Sequence, residues 1–206
     1  MKTSENYLTE IKEIRKMMEE SSRFLSLSGL SGILVGVYAL VGSLLAYNMT
    51  QNDGLFGEFI SDLVVPQIFF LALLILTISV LTIVFLTLRR AKKAGKKFWN
   101  PGTKQMMINL TVPLISGGFL IMVFVFRGYY EIIASACLVF YGLALVNAAK
   151  YTRHEIFYLG LFEVTLGLLA ALLPAFGILF WAFGFGILHI VYGTLMYFRY
   201  EHKTNS

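Results

Sequence analysis

Six long apolar runs, separated by short polar or charged intervals, organise the chain; they cover roughly 24–47, 63–88, 106–126, 130–149, 156–175 and 178–198. Each has about 20 residues or more, the length an α-helix needs to cross ~30 Å of hydrocarbon. Within each run the hydrophobicity is continuous rather than alternating. That pattern predicts helices and not barrel strands, because an open sheet would leave backbone groups unpaired in lipid. The expected fold is therefore all-α, a polytopic bundle of six transmembrane helices. The last four runs form two tight hairpins, broken at Arg127-Gly128 and at Pro174-Ala175-Phe176-Gly177. Turns this short make the joined helices antiparallel neighbours.

Residues 1–23 have a different rhythm. Leu8, Ile11, Ile14 and Met17 or Met18 recur at helical spacing, with Glu10, Lys12, Glu13, Lys16 and Glu20 between them. An amphipathic cytoplasmic helix is expected there, lying on the membrane surface or packing on a partner helix. Residues 199–206 form a short tail.

Composition agrees with a bilayer as solvent. The 206 residues are 57% hydrophobic and 14% charged, where a soluble domain carries about 25% charged residues. One bundle accounts for this length. The net charge of +5 does not predict a nucleic-acid partner, because the basic residues sit at the ends of the apolar runs. Lys2, Lys12, Arg15, Lys16 and Arg23 precede the first. Arg89, Arg90, Lys92, Lys93, Lys96, Lys97 and Lys104 lie between the second and third, Lys150 and Arg153 between the fourth and fifth, and Arg199 and Lys203 after the sixth. Every basic residue but Arg127 thus falls on one side of a six-pass topology. The opposite side carries Asp53, Glu58 and Asp62 in its first loop. The positive-inside rule then gives a cell (inner) membrane protein with both termini cytoplasmic. The run from Arg89 to Lys97 fixes that topology and is also suited to anionic lipid headgroups.

Small residues form stripes on several runs. The first carries Ser22, Ser26, Gly29, Gly32, Gly36, Ala39, Ser43 and Ala46 at steps of three and four. Such a face lets backbones approach closely and predicts a tight helix contact, within one chain or across a homodimer. The fourth run shows Ala134, Cys137, Tyr141, Ala144 and Ala148. The fifth shows Gly160, Glu163, Gly167, Ala170 and Pro174, and the sixth Ala182, Gly186, His189 and Gly193. Glu163 and His189, the deepest ionisable residues, therefore belong on protein-facing stripes.

Glu163 and His189 are the sharpest candidates for chemistry. Both lie roughly 10–14 Å from the cytoplasmic ends of adjacent helices, by a rise of about 1.5 Å per residue, so their side chains are within reach of each other. A charge at mid-bilayer costs about 2.5–3.5 kcal/mol, and each Leu, Ile or Phe returns about 0.3–0.6. The span still inserts, but a residue retained at that cost marks a proton or substrate site, or a hydrogen bond between helices. Asn109, Asn147, Tyr141 and Tyr192 are candidates to complete a polar cavity open to the cytoplasm. Arg127 and Glu131 flank the outer turn as an expected surface ion pair.

Other chemistry finds little support. Cys137 is the only cysteine, which rules out an intramolecular disulfide. His154, His189 and His202 lack paired metal-ligand spacing, so neither a metal nor a cofactor is expected. Gly29-Leu30-Ser31-Gly32 resembles the GxSG motif of rhomboid intramembrane proteases, with His189 as the base that resemblance would imply. That family, however, carries the motif on a later helix. The length, the charged N-terminal helix and the segment SSRFLSLSGLSGI resemble small six-helix bacterial membrane proteins, a resemblance that implies no activity. No enzyme is expected. A small transporter with its site at Glu163 and His189 is the leading expectation. The other is a non-catalytic sensor or partner subunit, acting through the N-terminal helix and the first-run glycine face.

Overall fold

A computed structural model describes residues 10–11, 28–52, 64–93, 95 and 98–200. The predicted N-terminal amphipathic helix and the C-terminal tail fall almost wholly outside them. Among the described residues there are six helices long and apolar enough to cross a membrane, and no strands. They are α1 (Gly29–Asn52), α2 (Val64–Lys93), α3 (Pro101–Arg127), α4 (Ile133–Ala148), α5 (His154–Leu172) and α6. Helix α6 is composite. It begins as Gly177–Trp181, passes through a π-helical turn at Ala182–Leu188, and resumes as His189–Tyr200. Short 3-10 turns at Tyr130–Ile132, Ala149–Tyr151 and Pro174–Phe176 join the last elements.

The apolar runs locate the helices, but polar residues set several of the ends. Helix α3 starts at Pro101, five residues before the third apolar run. Asn100 caps it, accepting a hydrogen bond from the Thr103 backbone N–H at 2.8 Å, and Pro101 has no N–H to leave orphaned. It ends at Gly128, whose φ of 75° closes the helix in the left-handed conformation that glycine adopts without strain. Helix α2 continues past its apolar run into the basic turn Arg90, Lys92 and Lys93, which suits the negative end of a helix dipole. The expected ion pair between Arg127 and Glu131 does not form among the described residues. Both side chains are exposed, where pairing is worth little.

Glycines decide which helices touch. A Cβ on Gly142 of α4 would lie 2.6 Å from the Gly160 carbonyl of α5, and one on Gly160 would lie 2.7 Å from the Gly142 carbonyl. The antiparallel hairpin is therefore closed by backbone on backbone. Ser135 fastens it with a buried hydrogen bond from its hydroxyl to the Gly167 carbonyl at 2.7 Å. The first-run glycine face is occupied within the chain: Gly29 and Gly32 meet Gly193, and Gly36 meets Gly186 and Ile190, all on α6. Ala39 and Ser43 continue this buried face. Helix α6 thus joins α1 on one side to α4 and α5 on the other. Helices α2 and α3 are peripheral, α2 against α1 through Ile75 at Gly42 and α3 against α4 through Gly117 at Phe140. Only 6% of an 18-residue apolar window of each is buried, against 39% for α1 and α4, which leaves on α2 and α3 a broad apolar surface compatible with lipid. Replacing Ser135 by alanine is expected to cost about 0.6 kcal/mol, the mean for hydrogen bonds between membrane helices, measured by unfolding in mixed micelles.

Candidate functional site

The site forms where α4, α5 and α6 converge. Helix α5 buries one stripe, Ile156, Leu159, Gly160, Glu163, Gly167 and Ala170, so the position of Glu163 in the helical repeat turns it inward. Its side chain is fully buried. Room for it comes from α6, where a Cβ on Gly184 would sit 2.5 Å from Glu163 Oε2 and 2.6 Å from Leu138 Cδ2. A glycine here is therefore a requirement of the carboxyl, not of the backbone.

His189 follows directly after the π-helical turn. The turn changes the phase of α6, because an extra residue in a helical turn rotates everything after it relative to everything before. Its outcome is that Gly186 and Gly193 face α1, while Gly184 and His189 face Glu163. His189 Nδ1 lies 3.0 Å from the Gly184 carbonyl oxygen, and Nε2 lies 2.7 Å from Tyr141 Oη. A carbonyl can only accept, so Nδ1 is the nitrogen that donates. In a neutral ring Nε2 then accepts from the Tyr141 hydroxyl. Glu163 Oε1 lies 3.4 Å from Nδ1, near enough for electrostatic pairing. The N–H it would need is directed at Gly184. Neither carboxyl oxygen of Glu163 has a hydrogen-bond partner among the described residues, and an orphaned buried polar group of this kind calls for an explanation.

Aromatic rings wall the site. Phe185 packs on Tyr141 with centroids 4.9 Å apart and on His189 at 5.9 Å, and Trp181 extends the stack at 4.9 Å from Phe185. Toward the basic end an apolar cluster of Leu145, Ile156, Leu159 and Met196 closes the bundle, with Tyr141 and Tyr192 packed against it. Beyond that cluster, Glu155 of α5 accepts hydrogen bonds from Arg199 Nη1 and Tyr200 Oη of α6, both at 2.8 Å. The guanidinium of Arg153 lies 4.0 Å over the Tyr200 ring, and Arg90 of α2 reaches the Tyr200 carbonyl at 3.4 Å. A cavity of about 180 Å³ lined by Ser43, Leu44, Tyr47, Ile178, Leu179 and Ala182 lies between α1 and α6, and Glu163 is not part of its wall.

Of the six polar candidates, the fold brings Glu163, His189 and Tyr141 together. Asn109 is not with them; its amide donates to the Gln105 carbonyl of its own helix at 2.8 Å. Tyr192 packs on the apolar cluster, and Asn147 is half-buried near the end of α4, where no hydrogen bond among the described residues ties it to the site. The GxSG segment does not build a serine–histidine pair. Ser31 Oγ donates to the Ser28 carbonyl at 2.6 Å, while His189 is engaged by Tyr141 and Gly184. Gly184, Phe185 and the Glu155–Arg199–Tyr200 cluster lie outside the expectations drawn from sequence. The dense glycine spacing of Phe183-Gly184-Phe185-Gly186 was the available signal for the first two. Compared with protein-family models, with curated proteins and with solved structures, the chain matches none.

Proposed function

We propose that the protein is a small permease of the cell (inner) membrane, with both termini cytoplasmic and a closed polar site at Glu163. One observation carries this: a fully buried carboxyl, deep in the bundle, with neither oxygen hydrogen-bonded among the described residues. A glutamate kept only to join two helices would bond its neighbour. Here His189 bonds Tyr141 and Gly184 instead, and Glu163 keeps its bonding capacity for a ligand. Ionisable residues at this depth are costly and mark transport or proton sites. The adjoining π-helical turn adds support, since such turns concentrate at functional sites. The orientation rests on Arg90, Lys92, Lys93, Lys104, Lys150, Arg153 and Arg199, which flank the spans on one side of the topology and belong in the cytoplasm. There the Arg89–Lys97 run meets anionic lipid.

The closed apolar cluster below the site favours a second reading, a non-catalytic membrane sensor or partner subunit in which Glu163 never meets water. Thiol labelling separates the two. Leu138 is fully buried beside Glu163, so a Leu138→Cys variant in a Cys137→Ala background places the reporter at the site. In lipid vesicles a permease lets a membrane-impermeant thiol reagent reach the introduced thiol from each side in turn. A variant that elutes as the parent does, stays unlabelled from both sides and moves no protons would leave the sensor and remove the permease.

A further inference from the structure

The permease reading leaves open what Glu163 binds, and the surroundings of its carboxyl narrow the choice to the smallest ligand. A metal cation needs several oxygen or nitrogen donors arranged around it. Among the described residues no three His, Cys, Asp or Glu side chains come together. An organic cation needs volume, and the space beside Oε2 is already limited by the Gly184 Cα and by Leu138. What does border Oε1 is a nitrogen that carries a hydrogen, His189 Nδ1 at 3.4 Å, on a ring whose other nitrogen is 2.7 Å from a hydroxyl. Hydroxyl, imidazole and carboxyl are thus neighbours in succession.

We infer that Tyr141, His189 and Glu163 form a proton relay that loads and unloads the permease site. This rests on the permease reading and specifies its coupling ion. Tyr141 Oη gives its proton to His189 Nε2 and takes one from a hydronium ion, which is left as water, in the water admitted past the Leu145–Leu159–Met196 cluster. The imidazolium so formed gives its Nδ1 proton to Glu163 Oε1. Two O–H bonds, of hydronium and of Tyr141, and one N–H bond break, while a tyrosine O–H, an N–H and a carboxyl O–H bond form. The tyrosine is restored, the imidazole ends neutral with its proton on Nε2, and Glu163 gains one proton. Unloading reverses each step once the site has opened to the other face, so that the proton leaves Tyr141 for water on that side. For the second transfer the Nδ1–H must turn from the Gly184 carbonyl to Oε1, and the two acceptors are 3.0 and 3.4 Å from the same atom, so a small swing of the ring suffices. Gly184 thus has two duties: its missing Cβ admits the carboxyl, and its carbonyl parks the proton-bearing nitrogen.

The groups facing the relay are few. Helix α4 contributes Tyr141 as its titratable side chain in contact, α5 contributes Glu163 and α6 contributes His189. Helix α1 meets α6 at this level with Gly32, Gly36 and Ala39, which carry no charge. The nearest ion pair, Glu155 with Arg199, lies beyond the apolar cluster at the basic end. Among the described residues no neighbouring charge substitutes for the three relay members.

Proton flux tests this. The full chain in liposomes with a trapped pH dye is driven by a potassium diffusion potential set with valinomycin, in potassium salts alone and again with sodium added. Wild type is expected to move protons, with no change on adding sodium. Tyr141→Phe and His189→Gln are expected to slow flux roughly 100-fold, the scale of a lost acid–base group, and Glu163→Gln to abolish it. Tyr141→Phe preserves ring packing and keeps the carboxyl, so its loss of flux reports transfer rather than folding; size-exclusion profiles check each variant. Wild-type flux in both Tyr141→Phe and His189→Gln overturns the relay. If Glu163→Gln alone is inactive, the relay falls and the permease stands with a different entry route. Should the Leu138→Cys variant label from both sides while wild type moves no protons, or moves them only with sodium, the relay is again overturned and the permease stays. Failure of the labelling together with absence of proton flux in wild type removes the permease.

Discussion

Replacing Gly193 by leucine is expected to detach α1 from α6 and to cost the fold more than a substitution at Gly184. A Cβ at Gly193 would lie 2.6 Å from the Ile33 backbone nitrogen and 2.7 Å from the Gly29 carbonyl oxygen. Both obstacles are main chain, which cannot rotate aside as a side chain does. Between lipid-bathed helices there is also no hydrophobic effect to hold them together once their close approach is lost. Overpacking a tight core costs typically about 1–3 kcal/mol; here the upper end or beyond is expected, because α1 brings α2 with it and α2 packs mainly on α1. The measurement is the unfolding midpoint in mixed micelles, with the elution profile as a check on aggregation. A midpoint within experimental error of wild type would show that α1 does not depend on this contact.

Gly184→Ala is expected to have the opposite profile, a modest loss of stability and a large loss at the site. The atoms a methyl group would meet are Glu163 Oε2 at 2.5 Å and Leu138 Cδ2 at 2.6 Å, both at the ends of side chains that can yield. The fold therefore survives, at about 1 kcal/mol. The carboxyl yields by moving, and Oε1 leaves its place beside His189 Nδ1. Proton flux in liposomes is expected to fall nearly as far as in Glu163→Gln, while the unfolding midpoint shifts much less than in Gly193→Leu. Flux at the wild-type level would mean that the position of the carboxyl is immaterial.

Much of the architecture was legible because the bilayer imposes one simple requirement, long apolar helices, which shows directly in the sequence. The α5 stripe Gly160, Glu163, Gly167 and Ala170 is buried as its spacing predicts, since a regular helix with one protein-facing side keeps a constant period. Helix ends were less legible. The apolar runs stop where hydrocarbon stops, but α3 begins earlier on an Asn100–Pro101 cap and α2 ends later on a basic turn. On α6 a single stripe through Ala182, Gly186, His189 and Gly193 merged two faces, because the π-helical turn interrupts the period on which such a stripe depends. That is why Gly184 escaped notice while its neighbour Gly186 did not. Tyr141 was among the candidates, yet its bond to His189 crosses from α4 to α6, and pairings between helices leave no mark in the spacing along either one.

The helices differ in length, and the difference bears on where Glu163 sits. Helix α5 has 19 residues and α2 has 30, about 28 Å and 45 Å at 1.5 Å per residue. Hydrocarbon averages about 30 Å, so α5 barely bridges it, while α2 overshoots and must lean or extend into the headgroups. The carboxyl is held by one of the shorter helices, and the longer α2 and α3 stand at the periphery. Lipid tails next to α5 must therefore compress to match it, thinning the membrane locally. On the permease reading, a proton bound for Glu163 then starts from a water boundary drawn inward, over a dielectric barrier narrower than the one the surrounding membrane presents.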